Sequence, residues 1–394
     1  MLGKILVKEE IHPMGGPGSI YAARSEELSK RLAGELEGQV QLIYLDPPFG
    51  TGGAFEFKDK SAICAYSDDL GAQELTSMMN TVLTACRSML CASGSLYLHV
   101  DYRMSGRMRL LLDEIFGEEN FMNEIIWSYK SGGRSTKHFS RKHDNILFYR
   151  KSKNVYFNIE ATGTPRGSSR KNHMKRRADD DGRIYYSIRT GGREYRYYED
   201  DLVFPSDVWD DVEHLHQRDP ERTGFVTQKP LALLKRVISA SSREGDLVLD
   251  FFGGSGTTAA AAQMLNRRFV SCDKGEASLF ATRRRLIEAQ RETELFSEKK
   301  PFSIVYDSPE AQQRLASAEH ILSVNSVIGG YEAVVNKHGD RSCAFLAVGS
   351  VENGVFTAEN YSVRPKAGGR IFVKRGQVLH VVDSDCAQSF FELR

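Results

Sequence analysis

The sequence predicts an α/β protein with a doubly wound, mostly parallel sheet, and three observations carry that reading. Several short apolar runs end in a polar or glycine-rich turn. These runs are continuous rather than alternating, as befits strands covered on both faces. Helical patterns with apolar residues at three- and four-residue spacing lie between them, so strands and helices alternate along the chain.

The strand candidates are residues 41–46 (QLIYLD), 95–101 (SLYLHVD), 145–150 (NILFYR), 246–250 (DLVLD) and 268–273 (RFVSCD). A helix is expected over 74–90, where Leu75, Met78, Met79, Val82, Leu83, Cys86, Met89 and Leu90 recur on one face and Gly94 ends the pattern. Residues 104–116 repeat the pattern with Met108, Leu111, Leu112, Ile115 and Phe116. Pro230, followed by LALLKRVISAS, reads as a helix with proline in its first turn. Residues 183–198 (RIYYSIRTGGREYRYY) read as a β-hairpin turning at Gly191-Gly192. Beyond residue 300 the chain turns to short β-like runs and turn glycines, a small β-rich appendage with no chemical motif. The expected organisation is therefore a first half at 1–150, an insert at 151–205, a second half at 206–299 and the appendage at 300–394.

Composition is that of a water-soluble globular chain: 394 residues, 41% hydrophobic and 27% charged. With 53 Lys and Arg against 52 Asp and Glu, no uniformly basic coat exists. Charge is nonetheless concentrated. Residues 130–197 hold 18 Lys/Arg and 6 Asp/Glu, a net +12 in a chain of net +1. A basic run is usually a solvated face. Here tyrosines interleave with the arginines, which favours a nucleic-acid surface. The six cysteines form no CxxC pair and no zinc-spaced cluster, so no metal is expected and a reducing, cytoplasmic setting is. The N-terminus lacks a signal-peptide core, and no 18-residue apolar stretch suggests a membrane span.

Residues 246–274 (DLVLDFFGGSGTTAAAAQMLNRRFVSCDK) form a strand, a glycine turn, a helix and a second strand ending in an acid. Glycines allow close backbone approach, and the free N–H groups of a helix start attract anions. Ser255 or Thr257 can cap that helix. Asp273 stands where dinucleotide folds place a ribose-binding acid. The phosphate-binding loop motif is absent, and Asp250 would repel phosphates yet suit a cationic group such as an α-amino group. An adenosine ligand without pyrophosphate fits this loop; the plainer alternative is an ordinary packing turn.

The stretch LIYLDPPFGTGG (42–53) ends a buried strand with Asp46, Pro47, Pro48 and Phe49. Alone it could be a rigid turn. Followed by the basic insert and then the glycine loop, it resembles the beta-class DNA amino-methyltransferases, in which these parts come in that order. The likeness covers roughly residues 18–290, including LLDEIFGEENFMNEIIW (111–127), SRKHDNILFYRKS (140–152) and ERTGFVTQKPLALLKRVISASSREGDLVLDFFGGSGTT (221–258). It implies a circularly permuted, Rossmann-like S-adenosylmethionine-dependent methyltransferase fold. It also implies methyl transfer to an exocyclic amino group of a base flipped out of duplex DNA. The Asp46 carboxylate and Pro47 carbonyl would accept hydrogen bonds from that amino group and localise its lone pair. Pro47 and Pro48 would fix the backbone, and Phe49 would stack on the base. By the same resemblance Asp250, Phe252, Gly253, Gly254, Ser255, Gly256 and Thr257 wrap the cofactor and Asp273 holds its ribose. Gln228, Lys229 and Pro230 match a second cofactor motif, whose alternative is a helix start. Asp101 either lines the same cleft or is a strand-end acid facing solvent. Candidate DNA contacts are Lys130, Arg134, Lys137, Arg141, Lys142, Arg170, Lys171, Lys175, Arg176, Arg177, Arg189, Arg193 and Arg196.

Two departures stand out. Phe251 replaces the proline that relatives commonly carry after the first acid of the glycine motif. IYAARSEEL (20–28) lacks the acid of the usual IYxGD, with Arg24 near its place, which implies an altered cofactor contact. Asp46, where cytosine-amino enzymes more often carry Ser, favours adenine N6 over cytosine N4. Three rival readings stay open: RNA as substrate, a DNA-binding module with an inactive fold, and the modification subunit of an assembly with a restriction endonuclease partner docked on 300–394. A homodimer is equally compatible with the sequence.

Overall fold

The computed structural model describes residues 8–11, 18–49, 53–58, 63–68, 71–130, 135–167, 174–216, 218–225, 227–292, 302–306, 322–328, 330–335, 343–352, 355–363, 365–383 and 388–392. Their centre is a run of six parallel strands. In spatial order these are Leu90–Val100, Val40–Leu45, Leu247–Asp250, Arg268–Asp273, Gly18–Ala22 and Phe302–Tyr306.

The strand Val40–Leu45 shows why its sequence is apolar throughout. All six residues are buried. Leu42 and Tyr44 point into one core with the helices Leu231–Ser241, Thr257–Met264 and Glu276–Glu292. Ile43 and Leu45 point into the other, beneath Ser25–Glu35, Ala72–Met89 and Ser105–Phe116. Side chains alternate across a strand, so helices on both faces require an unbroken apolar run. Each fully buried Leu or Ile contributes about 1.5–3 kcal/mol. Among the described residues no helix is long and apolar enough to cross a membrane.

One apolar run is not parallel. His143–Arg150 runs antiparallel to both of its neighbours, Leu90–Val100 and Phe121–Ser128. Among the described residues no helix separates Phe121–Ser128 from His143–Arg150, and the two strands pair antiparallel as a wide hairpin rather than a crossover. The run is nevertheless buried on both faces, with Leu147 in one core and Ile146 and Phe148 in the other.

The hairpin expected at 183–198 is present. Ile184–Thr190 and Arg193–Tyr198 pair in a hairpin, with Lys175–Ala178 on its edge. Gly191 and Gly192 take φ of +61° and +78°, the positive values a two-residue type I′ turn requires. Residue 300 marks no break in the sheet. Phe302–Tyr306 lies beside Gly18–Ala22, and Lys8–Ile11, Val355–Val363, Cys343–Glu352, Val378–Asp383 and Gln388–Glu392 extend the same sheet outward. A separate sheet of Leu322–Val327, Gly330–Val335 and Arg370–Lys374 shares a small core with them through Val335, Leu346, Val373 and Leu379.

Candidate active site

Four neighbouring parallel strands each bring an aspartate to the carboxyl edge of the sheet. Asp101 follows Leu90–Val100, Asp46 follows Val40–Leu45, Asp250 ends Leu247–Asp250 and Asp273 ends Arg268–Asp273. That edge is where open α/β sheets form their binding crevice. Crowding and burial show in the ionisation. Burial, with the charges of Asp46 and Asp273 adding to it, pushes Asp250 up to about 7 against the hydrogen bonds from Thr258 and the Phe252 N–H. Burial raises Asp273 as well, opposed by the N–H groups of Gly275 and Gly254. A cluster of this kind is a built preference for a cationic ligand.

The resident cation is Lys229. Its Nζ donates to Asp46 Oδ2 at 2.5 Å and lies 5.2 Å from the Phe49 ring centre. Lys229 is only 8% exposed, so this pair sits inside the cleft wall. Gln228 and Pro230 act differently. The Gln228 carboxamide oxygen accepts from the N–H and hydroxyl of Thr223, both at 2.8 Å, and its nitrogen donates to Glu221 O. Pro230 is the N-cap residue of Leu231–Ser241, one step before the predicted first turn. Glu221 accepts from the Leu231 N–H at the start of that helix and from Arg285 at 2.6 Å. Gln228 and Glu221 thus brace the loop that delivers Lys229.

The glycine loop is shaped by close approach. A Cβ on Gly253 would stand 2.4 Å from Ser271 Oγ, and one on Gly256 would meet Thr282 at 2.6 Å while φ is +74°. Gly254 has φ +48° and donates its N–H to Asp273 at 2.9 Å. Neither Ser255 nor Thr257 caps the following helix. Gly256 is the N-cap, without a side-chain bond, and the two hydroxyls instead lie 3.0 Å from each other. Thr257 is held by Lys229 O and Arg285, because the Leu231 helix and the Glu276 helix pack against this turn. Phe252 is half-buried beside the loop. Arg24 is tied to Glu26 at 2.6 Å, and Ser25 donates to Phe251 O at 2.7 Å, so the missing acid is replaced by an internally paired turn.

Beside Phe49 opens a cavity of about 370 Å³, walled by Asp101, Tyr102, Trp127, Tyr129, Arg141, His143, Asp144, His214, Thr227 and Lys229. Asp101 therefore does face the cleft, with its carboxylate held by Arg103. Beneath Phe49 runs a chain of polar contacts that the sequence motifs do not reveal. Tyr44 Oη and His99 Nδ1 are 2.8 Å apart, His99 Nε2 and Asp144 Oδ2 are 3.1 Å apart, and Tyr129 donates to Asp144 Oδ1 at 3.3 Å. Burial works to raise Asp144, but the His99 hydrogen bond and charge, with Lys229 and Tyr129, hold it below its usual value. His214 stacks on Trp127, with ring centres 5.9 Å apart, and burial lowers its pKa. The available signal for these groups was a polar residue inside an otherwise apolar strand, as at His99.

The candidate DNA residues fall into two sets. Lys130, Lys137, Arg141 and Lys142 lie on the loop above the cavity. By register, Lys175, Arg177, Arg189 and Arg196 share one face of the insert sheet, while Arg176 and Arg193 sit on the other. Arg176 and Arg196 are paired with Glu199 and Glu194. Part of the Tyr–Arg interleaving serves the hairpin itself, since Arg183 and Arg196 stack on Tyr198 and Tyr185. Arg134, Arg170 and Lys171 lie outside the described residues.

Residues 40–283 match the N6/N4 DNA methylase family. Type II methyltransferase M.EcaI of Enterobacter cloacae is 31% identical over 296 residues, 63% of this chain and 64% of that protein. Type II methyltransferase M.HpaI of Haemophilus parainfluenzae is 28% identical over 64% of this chain and 69% of its own length. DNA adenine methyltransferase YhdJ of Escherichia coli (strain K12) is 31% identical over 59% of this chain and 71% of its own. Among solved structures, PvuII DNA methyltransferase (cytosine-N4-specific) is 14% identical with a TM-score of 0.46, covering 72% of this chain and 88% of that one.

Proposed function

The chain belongs to the N6/N4 DNA methylase family, and from that premise we propose that it methylates the N6 amino group of an adenine flipped out of duplex DNA, with S-adenosylmethionine as the methyl donor. The observation that carries this reading is the placement of Asp46, Pro47 and Phe49. They stand at a strand end between a cluster of carboxylates and an aromatic-walled cavity.

The donor set fits a cationic adenosine ligand. Asp250 and Asp273 supply buried carboxylates, and Gly253, Gly254 and Gly256 leave no Cβ in the turn. Bound there, S-adenosylmethionine supplies an electrophilic methyl group on a positively charged sulfur. Asp273 would hold the ribose, and Phe252 through Thr257 would surround the remainder. Asp46 and the Pro47 carbonyl accept the amino hydrogens of the base, drawing its lone pair out of the ring and stabilising the positive charge that builds on nitrogen. Phe49 stacks on the base, and the cavity walls exclude water and fix its approach. Lys175, Arg177, Arg189 and Arg196 form a backbone-contacting face for the duplex. Asp46 in place of Ser, and the adenine named for the relative from Escherichia coli, support adenine over cytosine.

The test is to incubate the protein with S-adenosylmethionine and mixed-sequence duplex DNA, digest to nucleosides and identify the methylated base by mass. N6-methyladenine is expected, falling by at least about 100-fold with Asp46→Ala. N4-methylcytosine would overturn the base assignment and keep the mechanism. Absence of product alongside measurable DNA binding would overturn the transfer reading itself.

A further inference from the structure

The loop between Phe121–Ser128 and His143–Arg150 carries a residue that neither fold nor cofactor site uses. Phe139 is 98% exposed. A phenylalanine offers one of the largest apolar surfaces of any side chain, and here nearly all of it faces solvent. Its described residues, 129–130 and 135–142, are tied together by hydrogen bonds. The Tyr129 N–H donates to Lys142 O at 2.9 Å and closes its base. At its tip Ser135 Oγ accepts the N–H groups of Lys137 and His138, and Ser140 Oγ accepts the Ser135 N–H, each at 3.3 Å. Directly below, Tyr129 on one arm and Arg141, His143 and Asp144 on the other wall the cavity beside Phe49. Residues 130–143 contain five Lys or Arg and no Asp or Glu. An exposed aromatic ring between Lys137 and Arg141, beside a base-sized cavity that Arg141 helps to wall, matches a polyanion with stacked rings.

We propose that Phe139 is a wedge that enters the duplex as the target base leaves it, filling the vacated place in the stack. This rests on the reading of the protein as a DNA methyltransferase and adds a residue to it. Flipping breaks stacking and pairing, and an inserted apolar side chain replaces part of what is lost. The lysines and arginines beside it neutralise phosphates and bring the ring to the groove. Phe139 contacts the neighbouring bases, not the reacting atoms.

The experiment compares full-length wild type, Phe139→Ala and Phe139→Trp in single-turnover methylation. The substrate is an oligonucleotide duplex containing the site that sequencing of wild-type-methylated plasmid reveals. A second duplex places the target base opposite an abasic site, where extrusion costs least. Phe139→Ala should slow the paired duplex on the order of tenfold, recover to within about twofold on the abasic duplex, and melt at the wild-type temperature. Phe139→Trp should stay close to wild type on both. Equal loss on both duplexes overturns the wedge, as does a wild-type rate on the paired duplex, including from a variant that changes only its oligomeric state. A wild-type protein that leaves the plasmid unmethylated overturns the parent reading, and the wedge falls with it.

Discussion

His99 ties three parts of the site together from a position that contacts no solvent. It reaches Tyr44 on the strand that leads to Asp46 and Asp144 on the antiparallel strand, and its ring lies 6.3 Å from Phe49 at 29°. Truncating it should loosen Phe49 and leave the half-buried Asp144 without its His99 bond, with Tyr129 still donating to it. His99→Ala is expected to cost about 2–4 kcal/mol of stability. It should also lower kcat on the order of tenfold while leaving cofactor affinity near wild type. Thermal melts, single-turnover rates and cofactor titration check the three parts; an unchanged rate would show that Phe49 is held without it. His99 also shows the limit of sequence reading. Asp46 to Phe49 and the glycine loop are contiguous and could be found as words in the chain. His99, Asp144 and Tyr129 meet only because two distant strands pair, and each alone reads as an ordinary strand residue. The role of Lys229 was likewise hidden, since nothing in QKP indicates that the amine reaches back 183 residues to Asp46.

The turn from Leu247–Asp250 into Thr257–Met264 is an element whose sequence and conformation agree closely. Gly256→Ala would place a methyl group against Thr282 and force φ +74° on a residue with a Cβ, so a cost of about 2–4 kcal/mol is expected. Weakened cofactor binding should accompany it, because Thr257 would be displaced from Arg285; calorimetric titration and melting check both. The same turn sets a pH dependence. Asp250 titrates near 7 in the folded protein against an ordinary 3.8, so between those values the native state holds a proton that the unfolded chain releases. Stability contributed by this group is full below pH 4 and declines as pH rises toward 7, with a slope of up to about 1.4 kcal/mol per unit. Asp250→Asn removes that slope. Relative to wild type, the variant should melt at a similar temperature at pH 5 and gain as pH rises to 8; a constant difference across that range would contradict the ionisation described. At this scale the sequence foretold the parallel strands well, since an unbroken apolar run reports burial. It could not foretell the direction of His143–Arg150, because burial on two faces is the same for either direction.

At the scale of the whole molecule, the sheet whose edge carries the four aspartates continues past residue 300. Phe302, Ile304 and Tyr306 are at most 2% exposed and lie beside Gly18–Ala22, the strand that borders Asp273. Arg283, 1% exposed on the Glu276–Glu292 helix, donates to Gln388 at 2.9 Å and lies 3.4 Å from the Tyr306 hydroxyl. Truncation at residue 300 would strip these three core side chains along with Phe345, Phe356, Phe390 and others of the same core; the three alone represent a loss of about 5–9 kcal/mol, set against a typical total of about 5–15 kcal/mol. It would also take Tyr306 and Gln388 from a buried guanidinium. The chain 1–300 is expected to be unfolded or aggregated by circular dichroism and to bind no cofactor. The chain 1–320, which restores Phe302–Tyr306 but still lacks Gln388, should be folded and less stable than the full protein. This bears on the idea of 300–394 as a docking piece: loss of a partner on cutting at 300 would follow from unfolding alone, so point changes at exposed Phe372 or Ile328 are the informative probes. If 1–300 instead folds and methylates DNA at the full-length rate, the sheet ends functionally at Gly18–Ala22, and the outer strands contribute nothing to holding the carboxylate edge.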